Sequence, residues 1–335
     1  MVLSASISGV AIILIFFLTR EELSITIFKE INLYYLLVAF LLTFGFWLIR
    51  SLRLRVLVES LGEKVSIFRI FSICMASAFA AHVTPSSTGG LPFEIYFIHR
   101  EGLPVGKSTA LTITDNMFSL IFFLIVSPVL LFWWGDLLNP GPEIRRFFYI
   151  AAVVIALFAV VSIFFIFNVK YLLSFLERLF GFRIVKRFVN ESKLSHIYDF
   201  FEREVGCFHE GIQILLKEKG SLFWVFFYTV FYWVFHLSLA PVLLIGMGVN
   251  ISLPPVILAQ IIFNFIHPLF PTPGGSGGAE LGFAYLFKFM IPGYLLGVFV
   301  VIWRFFVFYI SLITGGIFFI KLIREVDYFQ GVELE

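Results

Sequence analysis

HVTPSSTGG, residues 82–90, breaks a stretch that is otherwise apolar enough to lie in a membrane, and FPTPGGSGG, residues 270–278, breaks another in nearly the same way. Proline lacks a backbone donor and glycine frees the chain, so neither segment continues as an ordinary helix. In hydrocarbon, the backbone groups released at such a break need partners within the protein or in a wet cavity. How these two breaks are accommodated decides the fold.

The flanking sequence is of membrane grade. Of the 335 residues, 60% are apolar and 14% charged, and the mean hydropathy is +0.99. Windows such as YYLLVAFLLTFGFWLI (34–49) and YIAAVVIALFAVVSIFFIF (149–167) approach the length that crosses a roughly 30 Å hydrocarbon layer. The expectation is an all-α, polytopic membrane helical bundle with full spans at about 5–19, 31–49, 108–133, 147–168, 221–247 and 293–320. The first stretch has no basic leader and no small-residue cleavage site, and reads as a retained helix. The whole of 1–335 is read as a single transmembrane domain.

Two pieces remain, 67–98 and 254–290, each cut near its middle by a Pro/Gly motif. As helices, 276–290 would cover about 22 Å and 89–98 about 15 Å. Neither arm crosses, so each piece is read as a re-entrant helical hairpin that enters and leaves on one side. With the N-terminus in the cytoplasm, 18 of the 24 Lys and Arg fall on that side, which also places the C-terminus there, in a multi-pass protein of the cell membrane. The units 31–133 and 221–320 then both read span, hairpin, span, in opposite orientations. This is the inverted-topology repeat, with two opposed re-entrant hairpins, in which interrupted segments point to a site near the midplane.

The stretch 169–220 differs in kind. Ile197, Phe201, Phe208, Ile212 and Leu215 recur at helical spacing among charged residues, and FLERLFGFRIVKRF (175–188) is basic and apolar together. Two short amphipathic helices forming a cytoplasmic insertion are expected. The net charge of +2 gives no reason to expect nucleic acid. Cys74 and Cys207 are too few for a disulfide framework or thiolate metal site. No HExxH or Walker motif is present, no cofactor is implied and no nucleophile stands out, so transport is favoured over catalysis.

Charged groups at membrane depth usually face the interior of the bundle or water. Here they are Glu94, Asp115, Glu280 and Arg304, accompanied by His82, Asn116, His236, Asn264 and His267. Arg304 needs an anionic partner, for which Glu280, Asp115 and a lipid phosphate compete. Each break also starts a helix, whose unpaired N–H groups favour phosphate. Gly89, Gly90, Gly274 and Gly275 let the backbone approach a ligand, and Thr84, Ser86 and Thr272 add donors. The expected site joins these groups around an Arg304 that clamps a head-group phosphate.

TPSSTGGLPFEIYFIHREGLPVGKSTALTITDN (84–116) and FPTPGGSGGAELGFAYLF (270–287) resemble the signatures of the lysylphosphatidylglycerol synthase transmembrane-region family. The resemblance implies a flippase-like membrane protein that moves a lipid between leaflets. It falls on Pro85, Gly89, Gly90, Pro92 and Asp115, then on Pro271, Pro273, Gly274, Gly275, Gly277 and Glu280, and on Arg304 in the last span. Leu91 stands where many members have glutamate, with Glu94 three residues on, and Asn116 stands where arginine often follows the aspartate. Some members add a cytoplasmic domain that aminoacylates phosphatidylglycerol, and the end at Glu335 suggests transport without synthesis. The expected partner is a phosphate-bearing membrane lipid, with homo-oligomerisation left open. An intramembrane enzyme acting on a lipid phosphate or lipid-linked sugar, and a membrane scaffold, are the alternatives.

Overall fold

The computed structural model describes residues 6–11, 13, 31–134, 153, 157, 160, 164 and 191–332, all of them in helices or their connections apart from one isolated β-bridge. The protein is a multi-pass, all-α membrane bundle. Four described helical stretches are long and apolar enough to cross: Leu33–Ser60, Val105–Val129, Lys219–Gly246 and Gly293–Glu325. They correspond to four of the six spans expected from the sequence. The other two, 5–19 and 147–168, fall largely outside the described residues, although residues 6–11 are helical.

Helix α1 (Leu33–Ser60) starts where the Asn32 side chain accepts the Tyr34 N–H. It runs well past Ile49, the expected end of that span, and so carries Arg50, Arg53 and Arg55 inside a helix. Helix α2 (Ile67–Val83) begins at Ser66, whose hydroxyl accepts from the Arg69 N–H, and ends at the first Pro/Gly motif. Helix α3 (Gly90–His99) leaves that motif, and α4 (Val105–Trp134) follows. Helix α5 (Glu191–Lys217) buries Phe208, Ile212 and Leu215, so the expected amphipathic stripe is present in one long helix. The basic stretch 175–188 lies outside the described residues.

The second half repeats the sequence of pieces. After α6 (Lys219–Gly246) come α7 (Leu253–Ile266) and a 3₁₀ turn, His267–Leu269. The second motif leads into α8 (Gly278–Phe287). Helix α9 (Gly293–Arg304) passes through a π-helical turn at Phe305–Tyr309 into α10 (Ile310–Val332). A π turn is an uncommon feature that often marks a functional position, and here it directly follows Arg304.

The core has two main centres. One lies among α6, α7, α8 and α9, where Phe283 stacks on Trp303 at 3.7 Å and packs against Phe287 and Phe299. The other joins α1, α2, α3 and α4 through Leu54, Leu57, Ile70, Ile73, Ile98 and Leu111, with Leu322 of α10. Outward-facing Leu33, Leu37, Phe40, Leu41, Phe44 and Leu48 give α1 an apolar stripe suited to lipid.

Both motifs form the same turn over their first five residues and diverge at the sixth, where Gly89 has φ of −75° and Gly277 of 87°. A shift of 188 positions takes Thr84 to Thr272, Gly90 to Gly278 and Val105 to Gly293. Ser86 and Ser87 have φ of 50° and 57°, and their equivalents Gly274 and Gly275 have 59° and 67°. In each turn the fourth residue donates to the carbonyl of the first: Ser87 to Thr84 at 3.3 Å and Gly275 to Thr272 at 2.9 Å. The fifth donates to the second: Thr88 to Pro85 and Ser276 to Pro273, both at 3.1 Å. Helices α3 and α8, which leave the turns, are each ten residues long. Pro85 and Pro273 face each other in an antiparallel β-bridge.

Candidate functional site

The second turn is built around Arg304. Its Nε donates to Glu280 Oε1 at 2.7 Å, its Nη2 donates to the Gly274 carbonyl at 2.8 Å, and its guanidinium lies 4.1 Å from the centre of the Phe308 ring. Glu280, on the first turn of α8, also accepts the Gly277 N–H through Oε2 at 2.6 Å and a hydrogen bond from the Ser8 hydroxyl. Ser8 in turn accepts from Tyr309 at 2.7 Å. Arg304 is 1% exposed and Glu280 is fully buried. Of the two carboxylates weighed for Arg304, Glu280 is therefore the one it meets.

Asp115 pairs elsewhere. Arg53 Nη2 donates to its Oδ2 at 2.6 Å, and Nε lies 2.5 Å from Oδ1. Arg53 Nη1 further donates to Ser119 at 3.0 Å and Thr229 at 3.2 Å. One buried arginine thus ties α1 to α4 and α6. The span expected from the sequence stops at residue 49 and leaves Arg53 outside the bundle, whereas the helix continues to Ser60 and buries it. The signal was present in the helical spacing of Arg50, Arg53, Leu54, Leu57 and Val58, of which all but Arg50 are buried.

The remaining expected residues separate into turn-builders and bystanders. Thr84 accepts the Gly89 N–H at 2.8 Å and donates to the Ala80 carbonyl at 2.8 Å, closing the first turn on itself. Ser86 donates to the Phe270 carbonyl at 3.4 Å, joining the two turns. Gly90 opens α3 with its N–H bonded to the Ser87 carbonyl. Thr272 donates to the Ser276 carbonyl at 2.7 Å. A Cβ on Gly274 would lie 2.3 Å from Phe308, and one on Gly275 would lie 2.9 Å from His267 Nε2, so His267 supports the turn from behind. Asn116 is exposed and bonds back to the Thr112 carbonyl, and Asn264 likewise bonds to that of Gln260. Thr84, Ser86, Thr272, Gly274 and Gly275 are accordingly held in contacts within or between the turns, and several of the expected phosphate donors are already engaged.

The polar groups that face open space lie on the other side of Phe308. A cavity of about 220 Å³ lies between α1, α2, α6 and the π turn. Arg50, Cys74, His82, Ser87, Tyr232, His236 and Ser311 give it its polar lining, and Phe46, Trp47 and Met75 are among its apolar walls. Arg304 and Glu280 do not line it. The His82 ring meets Phe308 edge-on at 4.8 Å and its Nε2 is 3.2 Å from Ser311, so Phe308 and His82 partition the cavity from Arg304. His236 packs against Phe46, Tyr232 and Trp233, and its Nδ1 has no partner among the described residues.

Arg50 is the cation of this cavity. Its side chain is 28% exposed, and among the described residues only Nη2 is engaged, donating to Glu94 Oε2 at 2.6 Å. Glu94, on α3, is 2% exposed, and its Oε1 has no partner. Chemically, the arrangement is a planar donor set directed at a small, mostly apolar chamber, next to a carboxylate that is only half satisfied. A fork of this type suits a phosphate.

A family model described as the lysylphosphatidylglycerol synthase TM region matches residues 1–315. The chain is also similar to a UPF0104 membrane protein of Archaeoglobus fulgidus, with 31% identity over 305 residues, which is 91% of each chain.

Proposed function

We propose, from the premise that the chain belongs to the lysylphosphatidylglycerol synthase TM region family, that it moves a phosphate-bearing lipid between the two leaflets of the membrane. Arg50 receives the head group. The observation that carries this reading is the position of Arg50: a cation in the wall of a chamber, held among the described residues by one acceptor, Glu94. A buried arginine with its donors fully committed has nothing to offer a ligand. Arg50 keeps donors free.

This reading gives Arg304 a different task from the phosphate clamp expected from the sequence. With Glu280, Gly274 and Phe308 around it, Arg304 holds the second turn against the π turn. Asp115, similarly, is a structural partner for Arg53.

The same reading takes α2–α3 and α7–α8 as two re-entrant hairpins of inverted units, 31–133 and 221–320. Their arms support it, at 17 and 10 residues in one and 14 and 10 in the other, against the roughly 20 that a crossing needs. Antiparallel pairing of equivalent residues, Pro85 with Pro273, is what a local two-fold axis produces. The packing is reciprocal as well: α1 lies on α6, α2 on α10 and α7 on α4. Repeats of this kind move by rocking one unit against the other around a fixed site. The distribution of Lys and Arg supports a cytoplasmic side for the termini and the α5 insertion.

The test is translocation in reconstituted vesicles. Phosphatidylglycerol labelled on its tail is placed in both leaflets, and an impermeant quencher is added outside. Vesicles with the protein should lose signal beyond the outer-leaflet share, and Arg50→Gln should slow that loss by roughly tenfold or more, as expected for losing a charge-assisted hydrogen bond. Equal rates per folded molecule would refute the assignment.

A further inference from the structure

Glu94 is, among the described residues, a buried carboxylate with one oxygen, Oε1, left without a hydrogen-bond partner. Among the same residues its hydrogen-bonded cation is Arg50, at Oε2, with Arg53 farther off. The groups facing it are few. Arg53 and Asp115 are committed to each other, Cys74 comes from α2, and α10 contributes the ring of Phe319 against Phe93 and Phe97 of α3. When a lipid phosphate takes Arg50, two anions compete for one cation, and the one that loses it lies in an apolar wall. A buried carboxylate without its counter-charge is costly and accepts a proton instead.

Resting on the reading that Arg50 receives a lipid phosphate, we infer that Glu94 is the proton-binding site of the transport cycle, taking up one proton each time a phosphate-bearing head group engages Arg50. Charge balances at both stages. Without lipid, Arg50 and Glu94 sum to zero. With a singly charged phosphodiester on Arg50 and the proton on Glu94 Oε1, the site again sums to zero. The proton comes from bulk water by way of the cavity, which Arg50 lines and Glu94 does not, and reaches Glu94 once the head group has drawn the guanidinium away. It is released to the opposite side when the lipid leaves into the other leaflet and Arg50 closes back on Glu94. Lipid movement is thereby linked to a proton gradient by an exchange that never leaves a lone buried charge.

The test uses the full chain in detergent micelles with a short-chain phosphatidylglycerol, a diester that stays ionised from about pH 5 to about pH 8, so any proton taken up belongs to the protein. In weakly buffered solution the wild type should take up close to one proton per lipid bound. Its affinity should weaken as pH rises, approaching about tenfold per unit. Glu94→Gln should bind more tightly than wild type at the alkaline end, with neither proton uptake nor pH dependence. His82 and His236 line the same cavity and are the other candidates for the proton. A double variant, His82→Asn with His236→Asn, should keep the uptake, and its loss there would transfer the proton to the histidines and overturn the proposal even if Glu94→Gln will not fold. Wild-type binding with no proton uptake at any pH overturns the proton site but leaves Arg50 as the lipid receptor. Failure of the wild type to bind the lipid at all removes both.

Discussion

Pro85 and Pro273, 188 residues apart in the chain, pair as an antiparallel bridge at the tips of two turns whose first five residues share the same hydrogen bonds and the same positive φ at the third and fourth. Each is the second residue of its turn, and each accepts the N–H three residues on. Two segments that hydropathy marks only as interruptions are thus one structural unit used twice, with its two copies in contact. Helices α3 and α8 start from that contact, and both the buried Arg304 pair and the Arg50 cavity lie next to it.

The contact can be captured chemically. Directly opposed residues of an antiparallel pair have Cβ atoms roughly 5 Å apart. In a chain with Cys74 and Cys207 changed to alanine, Pro85→Cys with Pro273→Cys should be bridged by a short bifunctional thiol reagent. Mass spectrometry should find the two peptides joined, and their absence under conditions that label both thiols would show that the turns are apart.

Equivalent positions of the turns should respond with opposite sign. Gly275 has φ of 67°, and an added Cβ would lie 2.9 Å from His267 Nε2, so Gly275→Ala should cost about 1–3 kcal/mol. Ser87 occupies the same conformation at φ 57° with a side chain present. Ser87→Gly removes a strain of about 1 kcal/mol and adds unfolded-state entropy of similar size. Its melting temperature in detergent should therefore stay level or rise slightly, while that of Gly275→Ala falls.

The Arg53–Asp115 pair should behave as cement. Removing one partner leaves the other buried and uncompensated, a loss of about 3–5 kcal/mol in soluble-protein experience. Asp115→Asn and Arg53→Gln should each express poorly. Arg53→Met combined with Asp115→Leu should recover much of the folded yield, and a double variant worse than either single would contradict the pairing.

Gly106 sets how closely α5 approaches α4. A Cβ there would lie 1.9 Å from the Glu204 carbonyl oxygen, and the Gly106 N–H donates to Glu204 Oε2 at 2.7 Å. Gly106→Ala should push α5 away and speed hydrogen exchange across 204–212, with the spans unaffected. Unchanged protection of α5 would show that the helix is held by other contacts.

Much of this was legible in sequence because hydropathy and turn chemistry are local. The long apolar runs gave the four described spans, and the shared TP..xGG pattern of the motifs matched turns that agree in φ at their third and fourth residues and diverge at Gly89 and Gly277. Glu280 was among the partners weighed for Arg304, but sequence could not choose between it and Asp115. That choice depends on which helices lie side by side. The expected span stops short of Arg50 and Arg53 because a basic cluster just after an apolar run looks like the flank of a span. The apolar residues at helical spacing beyond it, Leu54, Leu57 and Val58, were the counter-signal that the helix continues. The cavity itself arises between helices far apart in the chain and has no signature in any one of them.

The central claim is that the lipid phosphate is received at Arg50, with Arg304 serving the fold. The most direct measurement is mass spectrometry of lipids that co-purify with the wild type, Arg50→Gln and Arg304→Lys, each normalised to correctly folded protein. The account predicts that phosphate-bearing lipids accompany the wild type, are depleted in Arg50→Gln, and persist in the folded fraction of Arg304→Lys, whose yield falls. Retention by Arg50→Gln together with loss from a fully folded Arg304→Lys would contradict it and return the phosphate to Arg304.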